Sequence, residues 1–459
     1  MGPPKGSSTD IGGAPSRWRL LLRWFQPGLG VKRWLIVMVA ATALIGLGLA
    51  IFLLEVYRAN PDSPWLALLA MRALPRWLRA LTLAMAGVAA LAYAIVRLNR
   101  SLLAPYLRPG KPVVEAVAEH RRLGKGPKIV AIGGGTGLST LLRGLKRHTG
   151  NLSALVTVSD DGGSSGRLRE ALGLPAPGDL RNCLAALSDD EDLLTQLFQY
   201  RFLEGHELSG HSFGNLFIAA LAGVTGSFDR GILETGRVLA IRGEVLPTTL
   251  ENVALLADKT PMLDAHAVRV EGESRIPTLP GRIRRVHLEP HDVPAYPGAI
   301  RALLQADLIV IGPGSLYTSV LPNLLIPEIR QAIRASRAFK VLVCNVATQP
   351  GETDGYSAYD HLQAMDVHVG PQMADVILLS RPGPGRPPEG STWVGEEARP
   401  LSLPSVVVDD LTDPDRPGCH DSRRLAGALV QMLEERTGPL ESSRRDGQRS
   451  NDNGAGGEE

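Results

Sequence analysis

Hydrophobic positions near the start of the chain form two long uncharged runs, at 34–54 and 80–96. At about 1.5 Å per residue, a helix over the first run is long enough to cross the ~30 Å hydrocarbon core of a bilayer. The second run spans it with less margin. The pattern therefore predicts two transmembrane helices.

Basic residues set the expected orientation of these spans. They are more frequent in the leader 1–33 and in the segment after 96 than in the loop 55–79, and basic segments stay on the cytoplasmic side. A signal peptide is the competing interpretation of the first run, but Glu55 and Val56 follow it where a cleavage site would need small residues. We expect a multi-pass protein of the cytoplasmic membrane, with its large C-terminal domain in the cytoplasm.

After residue 128 the pattern changes to short apolar runs that alternate with helical periodicity. The runs typical of buried strands are 129–132, 154–158, 307–311, 341–346 and 376–379. Such alternation predicts an α/β fold, a Rossmann-like and mostly parallel sheet with helices on both faces. Between 243 and 291 shorter strand-like pieces indicate an insertion or an antiparallel edge.

These patterns divide the chain into five predicted parts. They are a basic leader (1–33), a membrane anchor (34–100), a linker (101–127), an α/β domain (128–436) and a polar tail without structure (437–459).

Composition narrows the function. The formal net charge is only +2, whereas a nucleic-acid-binding domain is markedly basic, so we expect no nucleic-acid partner. His287 and His291 flank Pro290, which breaks the helix that a zinc motif requires, and no metal site is predicted.

The strongest candidate for chemistry is a glycine-rich turn between the first strand and the next helix. It consists of Gly133, Gly134, Gly135, Thr136 and Gly137. Such a turn aims backbone N–H groups and the positive end of a helix at one point, which suits a phosphate. It is neither the dinucleotide fingerprint, whose third glycine would fall on Leu138, nor a P-loop. A tight turn without a ligand is the alternative.

Polar residues also follow the second strand and open the next helices. The candidate ligand groups there are Asp160, Asp161, Gly162, Ser164, Ser165, Asp179, Arg181, Asn182, His211 and Asn215. An acid at the end of the second strand of a doubly wound fold binds a ribose hydroxyl, and it could also hold a divalent cation. Arg181 in a first helical turn opposes the helix dipole, so we expect an anionic partner for it. For His211 a structural role is an equal alternative.

Two later strand ends carry further candidates. They are Gly312, Gly314 and Ser315 after one strand, and Asn345 and Thr348 after the next. Ligands of open parallel sheets bind outside the carboxyl ends of the strands, so we expect one shared crevice.

Six motifs resemble the YvcK (gluconeogenesis factor) branch of the CofD-like superfamily. They lie at 132–139, 160–168, 177–179, 210–215, 311–323 and 351–356. The resemblance implies a domain that binds a UDP-sugar, typically UDP-N-acetylglucosamine, and helps to direct carbon toward cell-wall precursors and cell shape. It implies a regulator and not an enzyme. The turn would then hold the diphosphate, Asp160 or Asp161 the ribose, and Arg181 with 312–315 would complete the pocket.

The other branch of the superfamily offers the alternative function. Its members transfer 2-phospholactate from a nucleotide-activated donor to a deazaflavin with magnesium, and on that interpretation Asp160, Asp161 and Asp179 would hold Mg²⁺. The membrane, an enzyme of cell-wall-precursor synthesis and a second copy in a homo-oligomer are the candidate partners besides the nucleotide sugar.

Overall fold

The computed structural model describes residues 31–59, 75–103, 121–188, 193–205, 207–261, 267–383, 385–396 and 404–438. The chain divides into two compact units between Arg121 and Arg122. The predicted leader up to residue 30 and the predicted tail from residue 439 lie outside the described residues.

The N-terminal unit contains two helices, α1 (Val31–Ala59) and α2 (Arg76–Leu103). They cover both predicted spans, but the prediction of two transmembrane helices is not supported. Among the described residues no single helix is both long and apolar enough to cross a membrane, and the apolar helical stretches are Thr42–Val56 and Ala84–Tyr93.

The C-terminal unit is built from alternating strands and helices. Its strands are β1 (Ile129–Gly133), β2 (Leu152–Val156), β3 (Glu244–Pro247), β4 (Ala254–Thr260), β5 (Val268–Glu271), β6 (Arg282–Glu289), β7 (Leu308–Ile311), β8 (Phe339–Val343), β9 (Val376–Ser380) and β10 (Ser405–Asp409).

Its helices occupy most of the connections between these strands. They are α3 (Gly135–Leu145), α4 (Gly163–Leu172), α5 (Gly178–Leu187), α6 (Leu193–Gln199), α7 (Phe213–Thr225), α8 (Phe228–Val238), α9 (Pro297–Gln305), α10 (Leu321–Leu325), α11 (Pro327–Ala335), α12 (Ala358–Val369) and α13 (Ser422–Thr437), with a π-helical turn at Leu316–Val320.

Seven strands form the main sheet, in the order β10-β9-β8-β7-β1-β2-β3. Every neighbouring pair is parallel. Ile129 in β1 lies opposite Leu152 on one side and Leu308 on the other. All five residues of β1 are buried, as expected where helices cover both faces of a parallel sheet. The predicted α/β fold with a mostly parallel sheet is confirmed.

The order of the strands reverses direction at β1. From β1 the chain moves to β2 and β3 on one side, and it later returns to β7 and continues to β10 on the other. Helices α3, α5 and α13 pack in one group, and α9 packs on α11 in another. With right-handed crossovers, this reversal places helices on opposite faces of the sheet.

The region 243–291 contributes strands to two different sheets. β3 extends the main sheet as a parallel edge strand, while β4, β5 and β6 form a separate antiparallel sheet in the order β5-β4-β6. Buried and half-buried residues alternate along β4, the pattern of a strand with one face on a core. The sequence predicted strand-like pieces here, but the parallel strand β3 and the later edge strand β10 were not predicted.

The contact between α3 and α13 provides a test of the packing. A Cβ added at Gly144 of α3 would overlap the backbone oxygen of Ser422 and lie 2.7 Å from Cβ of Ala426. We expect Gly144→Ala to lower the free energy of unfolding by roughly 1–3 kcal/mol, because overpacking outweighs the better helix propensity of alanine.

Gly427 in α13 is the matched control. No atom lies within 4 Å of a Cβ added there, so Gly427→Ala should raise the free energy of unfolding by about 0.5–1 kcal/mol. Chemical denaturation of both variants measures the difference. Equal effects of the two substitutions would contradict the close approach of α3 and α13.

Candidate functional site

Two loops meet where the strand order reverses, and we call the space beside them the crevice. Its walls are Gly134–Gly137, between β1 and α3, and Gly312–Ser315, after β7. A Cβ added at Gly137 would lie 2.7 Å from the carbonyl oxygen of Pro313. Glycine is therefore required at this position, because real Cβ atoms do not approach backbone so closely.

Side chains from the following segments hold the second wall. The amide of Asn345 bonds both backbone groups of Gly314, accepting from its N–H at 3.1 Å and donating to its oxygen at 3.0 Å. Gln349 donates to Oγ of Ser315 at 2.8 Å. Asn323 donates to the oxygen of Gly133 at 3.1 Å and so ties α10 to the end of β1. The crevice is thus built by the segments that follow three neighbouring strands of the sheet, β1, β7 and β8.

The glycine turn opens helix α3 without any acidic residue. Gly134 is the N-cap and its conformation is extended, and no acid lies in the first turn. Gly135 has φ +62°, which favours glycine, and Thr136 is exposed. The free N–H groups of a first helical turn and the helix dipole suit a negatively charged ligand.

Two carboxyl groups lie next to this turn. A Cβ at Gly134 would overlap Oδ2 of Asp179, and one at Gly178 would lie 2.5 Å from Oδ2 of Asp160. Burial, and next the charge of Asp160, raises the pKa of Asp179 to about 6. The two acids predicted from separate motifs therefore form one unit at the glycine turn.

A third acid, Glu273, joins them from the loop after β5. Its Oε2 is buried and has no hydrogen-bond partner among the described residues. Burial raises the pKa of Glu273 well above its ordinary value, and the neighbouring charge of Asp179 adds to this. The next residue, Ser274, donates its backbone N–H to Asp161 at 2.9 Å. We refer to Asp160, Asp161, Asp179 and Glu273 as the acid cluster.

A buried arginine accompanies the acid cluster. Nη2 of Arg181 donates to Asn182 at 2.8 Å, while its Nε is buried without a partner in the described part of the chain. Burial, and next the charge of Arg201, lowers the pKa of the Arg181 guanidinium. An unpaired guanidinium N–H at this point is a donor available to an anion.

The serines after β2 connect to the start of α7. Oγ of Ser164 lies 3.0 Å from Nδ1 of His211 and accepts from the amide of Asn215 at 3.1 Å. The same amide donates to Ser165 at 3.3 Å. These buried side chains bond one another, so the structure shows a structural role for them, and their role as ligand groups stays a prediction.

Thr348 is held by hydrogen bonds to the segment after β9. Its hydroxyl accepts from the backbone N–H of Thr392 at 2.9 Å, so it joins the segment after β9 to the end of β8. Gly162 donates its N–H to Oδ1 of Asp160 at 2.9 Å and orients that carboxylate.

Sequence reasoning missed Glu273, Asn323 and Gln349. Glu273 lies in the connection 272–281 between β5 and β6, and only an acid between Gly272 and Ser274 marks it in the sequence. Its place depends on a contact with Asp161, more than a hundred residues earlier.

The described residues contain no preformed metal site. Within the residues that the structure describes, no three histidine, cysteine, aspartate or glutamate side chains are grouped so that they could hold a metal ion. A cation at the acid cluster would therefore need further ligands from a bound molecule.

Fold and site together define an open α/β protein of the Rossmann type, with a glycine-lined crevice at its switch point. The family described as 2-phospho-L-lactate transferase CofD matches residues 129–390. The gluconeogenesis factor of Bacillus subtilis (strain 168) is 46% identical over 324 residues, which are 68% of this chain and 100% of that protein. The gluconeogenesis factor of Halalkalibacterium halodurans is 54% identical over 289 residues, 62% of this chain and 85% of that protein.

A solved structure is also similar to this chain. The crystal structure of a UPF0052 family member from Bacillus halodurans has a TM-score of 0.62 and 44% identity, and the match covers 67% of this chain and 99% of that one. The chain belongs to the CofD-like family, among its members named gluconeogenesis factor. The family resemblance inferred from the six motifs is confirmed.

Asp179 provides a test of the acid cluster. Its pKa is about 6 in the fold against an ordinary 3.8, so between these values the folded chain keeps a proton that the unfolded chain loses. The free energy of unfolding should therefore fall as pH rises through this interval, by up to ~3 kcal/mol. We expect Asp179→Asn to remove this loss and to raise the free energy of unfolding at about pH 7 by roughly 1–3 kcal/mol.

Chemical denaturation across this pH range measures the effect. Asp292→Asn is the control, because Asp292 is exposed and its substitution should leave the free energy of unfolding unchanged. If Asp179→Asn has a lower free energy of unfolding than the parent chain at neutral pH, the prediction is wrong. The fold would then stabilise the ionised carboxylate of Asp179.

Proposed function

We propose that the crevice binds a UDP-sugar, with UDP-N-acetylglucosamine as the first candidate, and that the protein is a regulator and not an enzyme. It links carbon supply to cell-wall-precursor synthesis and cell shape. The observation that carries the proposal is the glycine turn at the start of α3, which lies at the switch point of the sheet, where β1 and β7 end side by side.

The diphosphate is assigned to the glycine turn. No acid lies in the first turn of α3, and Gly137 lets the backbone of Pro313 approach it closely. Phosphate groups bind in this way at helix N-termini. Arg181, with its unpaired Nε, supplies positive charge beside the turn.

The nucleoside is assigned to the end of β2. In doubly wound folds an acid at this place binds ribose hydroxyls, and Asp160 and Asp161 occupy it here. Both are half-buried, so their carboxylates are reachable from the crevice side of the sheet.

The regulatory role rests on the relatives, several of which carry the name gluconeogenesis factor. A regulator acts through partners, and an enzyme of cell-wall-precursor synthesis and a second copy of the chain are the candidates. Which of them is bound is a separate question from ligand binding.

A charge placed at Thr136 tests the binding site. Thr136 is exposed in the first turn of α3, where an acid favours the helix dipole, so Thr136→Asp should fold as well as the parent chain. The new carboxylate repels a diphosphate, and we expect the affinity for UDP-N-acetylglucosamine to fall about tenfold or more, measured by calorimetry.

The neutral variant Thr136→Asn is the matched control and should bind as the parent chain does. The proposal fails if the parent chain does not bind UDP-N-acetylglucosamine at millimolar concentration. Equal affinity of the Asp and Asn variants would place the diphosphate elsewhere.

A second candidate function is supported by the acid cluster. Mg²⁺ is commonly held by one or two carboxylates together with phosphate oxygens, and Asp160 and Asp179 lie beside the phosphate cradle with the unpaired Oε2 of Glu273 nearby. When bound, the cation would neutralise charge on the diphosphate linkage of the nucleotide-activated donor, from which the phospholactyl group is transferred. Magnesium-dependent transfer of phospholactate from a nucleotide-activated donor to a deazaflavin would favour this function over the regulator.

Attachment to the cytoplasmic membrane stays a prediction from the sequence. Release of the chain from a membrane pellet by detergent alone would support it. Recovery of the full chain in the soluble fraction without detergent would contradict it.

A further inference from the structure

A second cavity, of about 1380 Å³, lies between the antiparallel sheet and helix α12. Its walls come from the ends of β4 and β6, the π-helical turn, the loop 350–356 and one face of α12. The residues assigned to the diphosphate and the nucleoside above are not among those that line it. Its size exceeds that of most small-molecule sites.

One wall carries a buried carboxyl group with an unused oxygen. Oε1 of Glu352 accepts from Thr318 at 3.1 Å. Its Oε2 is buried and has no hydrogen-bond partner in the described part of the chain. An unsatisfied buried acceptor is costly, but this oxygen is closed to solvent, so a ligand hydroxyl reaches it only when the side chain of Glu352 turns toward the cavity.

The polar lining carries both signs of charge. Arg282 and Arg284 face the cavity from β6, and Asp354 and Asp360 face it from the opposite side. The two arginines balance the two aspartates, and burial raises the pKa of the third carboxyl group, Glu352, to about 7, so the lining gives little net preference for an anion or a cation. Guanidinium groups donate hydrogen bonds and carboxylates accept them, so a ligand whose groups both accept and donate satisfies both kinds. Hydroxyl groups have this property.

The rest of the lining offers flat and apolar surfaces. The guanidinium of Arg282 lies 5.7 Å from the ring centre of Tyr356, and the hydroxyl of Tyr356 is 2.8 Å from that of Tyr317. Pro277 and Pro350 add C–H surface. A ring with one apolar C–H face and several hydroxyls at its edge matches this combination.

We propose that this cavity is a second ligand site, and that its ligand is an uncharged polyhydroxylated ring, a sugar or a cyclitol. This site is additional to the nucleotide site proposed above. The arginines and aspartates hold the edge of the ring, and Pro277 and Pro350 contact its face.

The experiment uses the full chain with three neutral probes, D-glucose, N-acetyl-D-glucosamine and myo-inositol. Saturation-transfer NMR or calorimetry should show saturable binding of at least one of them. Arg284→Ala and Gln363→Ala, which change exposed lining side chains, should each weaken it about tenfold. Arg285→Ala changes the next arginine along β6, which does not line the cavity, and should leave binding unchanged.

Two further measurements distinguish binding at this site from binding in the crevice. Binding of the neutral probe should persist with saturating UDP-N-acetylglucosamine and in Thr136→Asp, so failure of the nucleotide proposal leaves this one standing. Competition by the nucleotide sugar would place the probe in the crevice and overturn the proposal. It is also overturned if none of the three probes binds, if Arg284→Ala and Arg285→Ala behave alike, or if only inorganic phosphate or citrate binds.

Discussion

The approach of Gly137 to the backbone of Pro313 is the contact on which the candidate site depends. It brings the start of α3 against the loop after β7, two segments separated by the whole first half of the domain. A side chain at residue 137 would force them apart, and the crevice at the switch point would lose one wall. The bonds from Asn345 to Gly314 and from Asn323 to Gly133 hold the same junction from the other side.

The charged side chains around this junction are not all paired with groups of opposite charge. Asp160, Asp161, Asp179 and Glu273 converge beside the glycine turn, and burial disfavours ionisation of Asp179 and Glu273. Arg181 lies close by with a polar atom unpaired. Natural cores rarely leave buried polar atoms without partners unless a ligand or a function requires them. The combination therefore marks the site more strongly than any single motif does.

The sequence was sufficient for the sheet and for the glycine turn, because both follow from local patterns. Buried parallel strands appear as short apolar runs, and a turn with Gly134, Gly135 and Gly137 directly after β1 has few interpretations. Glu273 and Gln349 could not be found in this way, since each reaches the site by a contact between distant segments. The predicted spans 34–54 and 80–96 are covered by α1 and α2, but the absence of charge does not by itself establish a membrane helix, and their prediction is not supported by the described residues.

The unpaired carboxyl groups of the acid cluster affect how long the folded protein persists in the cell. A chain that carries strained carboxyl groups is least stable when nothing occupies its site, and any ligand or cation that relieves them raises its stability by mass action. Chains with empty sites then open more often and are removed sooner by proteases. If a ligand that relieves these carboxyl groups binds there, the fraction of chains that stay folded rises with its supply.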